Sequence, residues 1–171
     1  MTGVEFLASF IATGELFGLR IGSTLDEVDR AFSHPFVDVV GEEGAWLRRD
    51  YGLVELAFNP KPEPEPEWVM ATATIQLHRL ASDDCLARAW DRSMGVAFAR
   101  YTSWEEVRDA LSRTRGVPEL RVTDQGGFLQ YRAASSNVSV LVVDAEDEER
   151  GYRVGNGDVW SLDLWAPFPA S

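Results

Sequence analysis

Apolar positions recur at three- and four-residue spacing in four stretches of this chain and alternate with polar ones in six to eight others. Helix-type spacing predicts helices near 3–13, from 24 to about 32, near 82–93 and from 103 to about 111. The second and fourth carry nearly the same phrase, "STLDEVDRAF" at 23–32 and "TSWEEVRDAL" at 102–111. In each, a hydroxyl residue (Ser23 or Thr24; Thr102 or Ser103) can cap the first turn. Acids follow at Asp26 and Glu27, and at Glu105 and Glu106, where the helix dipole favours negative charge. Leu25, Val28, Ala31 and Phe32 form one stripe; Trp104, Val107, Ala110 and Leu111 form the other. Pro35 closes the earlier of the two.

The repetition extends to the strands. "AWLRRDY", "GLVELAF" and "WVMATATIQLHRL" follow the first helix pair; "GFLQYRA", "NVSVLVVD" and "DVWSLDLWA" follow the second. An additional short strand is expected at "VDVV" (37–40) and at "ELRVT" (119–123). Between the last two strands of each half lies a polar loop, "NPKPEPEPE" in one and "AEDEERGYRVGNG" in the other. The expected fold is therefore α+β: a tandem repeat of helix, helix and antiparallel strands. Two halves, 1–80 and 81–171, pack as one compact unit. Helices cover one face of a shared antiparallel sheet and the other face stays open.

Alternation sorts the side chains. Val69, Ala71, Ala73, Ile75 and Leu77 are expected inward, with Val54, Leu56, Phe58, Leu47, Leu129, Trp160, Leu162 and Leu164. Trp46, Arg48, Glu55, His78, Phe128, Arg132, Asp163 and Trp165 fall on the open face. Trp46 and Trp165 beside arginines match the composition of interface hot spots.

Composition narrows the partners. A net charge of −12 disfavours nucleic acid and anionic membranes and suits a basic protein. No apolar run reaches membrane-spanning length, and "MTGVEFLASFIATGELFG" lacks the basic start of a signal peptide. A single cysteine, Cys85, excludes an internal disulfide, so a cytoplasmic setting is expected. Cys85 is expected half-buried.

Chemistry is sparse. Two histidines, His34 and His78, do not make a catalytic pair or a metal site without further ligands at suitable spacing. No phosphate-binding glycine motif occurs, the paired acids are explained by capping, and no cofactor is expected. The two acidic loops can steer a basic partner.

The element order resembles the β-lactamase inhibitory protein architecture, in which two repeats join edge to edge and a concave sheet face grips a partner protein. "FIATGELFGLRIGSTLDEVDRAF…HP", "YGLVELAF" and "TATIQLHRL" are also similar to immunity-type proteins encoded beside bacterial polymorphic toxins. Here Phe32-Ser33-His34-Pro35 lacks the glycine of that family's pattern, and the disulfides of the secreted inhibitors are absent. These resemblances imply a non-enzymatic immunity-type or inhibitor protein, a monomer or homodimer that neutralises a toxin or enzyme through the open face and acidic loops. The alternative is a small-molecule sensor or enzyme using a cleft between the halves near His78, Arg79 and Glu55.

Overall fold

The computed structural model of the chain describes residues 1–61 and 67–166. The prolines and acids of "KPEPEPE" after Lys61 and before Glu67, and the tail "PFPAS", lie outside the described residues. The chain is α+β; its described residues form four α-helices and one eight-stranded antiparallel sheet that does not close. The helices are α1 (Gly3–Thr13), α2 (Leu25–Ala31), α3 (Asp84–Met94) and α4 (Trp104–Ser112). The strands are β1 (Val37–Val40), β2 (Leu47–Asp50), β3 (Val54–Lys61), β4 (Glu67–Ile75), β5 (Leu120–Asp124), β6 (Phe128–Ala133), β7 (Val138–Val143) and β8 (Val159–Trp165).

Local chemistry explains where the helices begin and end. Thr24 accepts from the Glu27 amide while the Glu27 carboxylate accepts from the Thr24 amide; Ser103 and Glu106 do the same for α4, and Thr2 and Glu5 for α1. Asp83 caps α3 by accepting from the Cys85 and Leu86 amides. α1 and α3 both end on a glycine, Gly14 and Gly95, each at φ 67°, a left-handed conformation that costs glycine little. A side chain at Gly14 would also meet the Ser136 carbonyl oxygen at 2.5 Å.

Each run of four strands is a meander, and the two runs meet at their last strands, giving the order β1-β2-β3-β4-β8-β7-β6-β5. The seam pairs Thr72 with Trp165, Ala73 with Leu164, Thr74 with Asp163 and Ile75 with Leu162. One sheet face contributes Leu47, Val54, Leu56, Phe58, Ala73, Ile75, Val138, Val140, Leu162 and Leu164 to a core shared with Phe6, Leu7, Phe10, Ile11, Val28, Trp90, Trp104 and Val107 of the helices. Burying each large apolar side chain in that cluster contributes about 1.5–3 kcal/mol.

Four expectations need correction. The register of β3 on β4 shifts at Ala57 and Phe58, so Ala71 is an extra residue and Met70 replaces Val69 and Ala71 in the core. β7 on β8 shifts likewise at Leu141 and Val142, which makes Trp160 the extra residue and turns it out of the main core. Both strand segments are also longer than a "NPKPEPEPE" loop allows: Asn59, Pro60 and Lys61 pair with Val69, Trp68 and Glu67. Cys85 is exposed, because it sits in the solvent-facing first turn of α3.

Candidate functional site

The second sheet face follows from register, since directly paired residues share a face. One row across the sheet reads Arg121, Arg132, Ser139, Asp163, Thr74, Glu55, Asp50, Val37. A parallel row reads Trp165, Thr72, Ala57, Arg48, Val39. Along these rows Val37 is 66% exposed, Trp165 47% and Val39 39%. Arg48, Arg121 and Arg132 are exposed; Glu55, Thr72, Thr74 and Asp163 are half-buried; Ser139 is buried.

Of the eight side chains singled out by alternation, five occupy these rows: Arg48, Glu55, Arg132, Asp163 and Trp165. Trp46 sits just ahead of β2, 44% exposed, with its indole lying over Gly41, where any added side chain would collide with it. Two behave differently. His78 is on a 3-10 turn (Leu77–Ala81) that follows β4 rather than on the strand. Its ring stacks on Trp160 at 4.2 Å, and burial lowers its pKa below the usual histidine value. Phe128 lies on the second face as expected but is half-buried. It meets Trp160 edge-on at 5.5 Å and packs with Val143 and Val154 in a small separate cluster. The cause is the loop between β7 and β8, which folds back over that end of the sheet.

That loop is held by its own arginine. Arg150 donates to both carboxylate oxygens of Asp158, which is fully buried and also accepts from the Gly155 amide at 2.9 Å. The Tyr101 hydroxyl donates to the Gly151 carbonyl at 2.6 Å, and Arg100 donates to the same oxygen. Asp147, Glu148 and Glu149 are left exposed.

The electrostatics of the second face are uneven. Arg79 donates to Asp50, to Glu55 and to the Gly52 carbonyl, so Arg79 and Glu55, the pair expected near a cleft, are committed to each other. Asp163 is different. Thr74 donates to its Oδ1 at 2.8 Å and Ser161 to its Oδ2 at 3.4 Å, yet among the described residues no arginine or lysine forms an ion pair with it. Burial pushes its carboxyl pKa above the ordinary aspartate value, a rise the two hydroxyls partly offset.

Alternation did not reveal a charged cluster on the core side. Arg49, 4% exposed, donates from Nε and Nη2 to the two Asp38 oxygens, also reaches Asp29, and lies 3.8 Å from the Phe36 ring centroid. The Asp38 carboxylate holds the guanidinium pKa above its already high ordinary value. Arg49 shares strand parity with inward Leu47, and an inward charge demands carboxylate partners; that was the available signal. A groove of about 500 Å³ lies beside α4, lined by Trp104, Leu129, Tyr131, Val142, Arg108 and Asn156 among others. Among the described residues no group of three His, Cys, Asp or Glu side chains is placed to hold a metal ion, and no helix is long and apolar enough to cross a membrane.

No protein-family model and no curated protein matches the chain. It is similar to a solved DUF4309 family protein (YjgB) from Bacillus subtilis at 15% identity and a TM-score of 0.44, over 96% of this chain and 95% of that one.

Proposed function

We propose that this chain is a non-enzymatic protein-binding module of the immunity or inhibitor type, which grips a partner protein on the second face of its sheet. The scaffold reading behind it is a duplication, with helices covering one face and the other left open. Several pairs of features support the duplication. Thr24 bridges to Val69 at the start of β4, and Ser103 bridges to Asp158 at the start of β8. The capping boxes of α2 and α4, the left-handed glycine caps of α1 and α3 and the bulges at Ala71 and Trp160 recur in the same order. Thr74 and Asp163 pair with each other, and the registers on either side of them are reciprocal, Ala73 with Leu164 and Ile75 with Leu162. Every antiparallel pair has that reciprocity; what matches the two positions is that each lies three residues after its strand's bulge, Ala71 and Trp160.

The observation that carries the binding reading is the exposed set on the second face: Trp46, Arg48, Val39, Trp165 and Arg132. Large apolar side chains left in solvent beside arginines have the composition of a hot spot. The acidic loop between β7 and β8, and a net charge of −12, favour a basic partner and speed its approach.

The test is affinity capture from the native host with the wild type and with a Trp46→Ala/Trp165→Ala double variant. A protein retained in equal molar amount by the wild type and released by the variant is the expected result, with the variant's melting temperature unchanged. Retention of nothing, or equal retention by both, removes the reading.

A further inference from the structure

Asp163 stands out on the second face because of where it lies and what it lacks. It sits in the middle of the β4–β8 seam, at the centre of an eight-strand row, directly opposite Thr74, which is 89 positions earlier in the chain. On the duplication reading these two positions are equivalents, each three residues after its strand's bulge. At the seam one strand supplies a hydroxyl and the other a carboxylate, so the middle of the row bears a single charge.

On the β1 side of Asp163 the acids Glu55 and Asp50 are held in ion pairs by Arg79. Toward β5, the row continues through buried Ser139 to Arg132 and Arg121. Among the described residues Asp163 itself receives only hydroxyl hydrogens, one on each oxygen. A carboxylate oxygen has two acceptor sites, so each oxygen keeps one, and the two together present the spacing that a guanidinium fork fills. A half-buried carboxylate without a cation is costly, and a cation delivered from outside removes that cost. Trp165 lies one row away, in the neighbouring pair with Thr72, as an exposed apolar surface for the arm of such a side chain.

Resting on the binding reading above, we infer that Asp163 is the anchor of the face and receives an arginine side chain of the partner, its guanidinium forked onto the two carboxylate oxygens and its alkyl chain against Trp165. The occupant is thus a basic protein segment that offers an arginine at its centre. Charge complementarity selects it over a second copy of this chain, which would bring another −12.

The probe is Nα-acetyl-arginine methylamide, compared with the citrulline compound of the same shape and no charge, titrated into the full chain while Asp163, Thr74 and the Trp165 indole are followed by NMR. The arginine compound should shift these signals and bind about tenfold or more tightly than the citrulline compound. It should also lower the pH at which the Asp163 carboxyl titrates, and Asp163→Asn should abolish the difference between the two probes. Equal response to both probes overturns the anchor, as does a response centred on the loop between β7 and β8. If a captured native partner is released by Trp46→Ala/Trp165→Ala but held equally by Asp163→Asn, the face reading stands and the Asp163 anchor falls.

Discussion

A single carboxyl shows how a residue's environment can work against stability. Asp163 binds its proton more tightly in the folded chain than in the unfolded one, because burial raises its pKa. Such a group contributes fully to stability below its unfolded value of about 3.9, and that contribution declines as pH rises through the raised folded value. Asp163→Asn keeps a group that can bond Thr74 and carries no charge. Urea unfolding should therefore find the variant more stable than the wild type at neutral pH, with the gap closing on acidification below the ordinary aspartate range. A gap that is constant with pH would refute this. Residues of this kind were only half legible. Alternation placed Asp163 on the second face, but nothing in the sequence indicates that Thr74 lies across the seam from it. The same limit hid Arg150 on Asp158, a pair whose meaning depends on a loop turning back over the sheet.

Helices and strands were legible to different degrees. The caps could be read directly, since a hydroxyl residue followed three positions later by glutamate satisfies two amides at once. Thr24→Ala and Ser103→Ala should each cost about 1 kcal/mol of stability, and their effects should add, because the two caps share no partner. Chemical denaturation of the two single variants and the double variant measures this. A double variant no worse than either single one would mean that the caps do not act independently. Ser103 also holds the Glu106 carboxyl below the ordinary glutamate value, so that part of the α4 cap weakens as pH falls through the lowered pKa. Strand existence was equally clear from period-two patterning. Bulges were not. An extra residue inverts the parity of everything before it, so β4 reads Val69 and Ala71 as core when Met70 holds that place, and β8 misassigns Trp160 for the same reason.

At the scale of the molecule, the order of elements was visible along the chain, while the joint between β4 and β8 was not, because either meander could equally have met its neighbour by an outer strand. The observed joint puts residues of both halves into one apolar cluster, from Phe10 and Trp90 to Val140 and Leu164. Unfolding should accordingly be a single cooperative event: tryptophan fluorescence and far-ultraviolet circular dichroism should trace superimposable urea curves. Two separated transitions would mean that the halves are independently stable.

The seam also has a temporal consequence. β8 is made after every other strand, so during synthesis the free edge of β4, from Thr72 to Ile75, waits with unpaired amides and carbonyls until Leu162–Trp165 emerge. A ribosome stalled shortly before that point would display an unfinished ribbon ready to add a strand from any neighbour, a nascent chain in need of a chaperone.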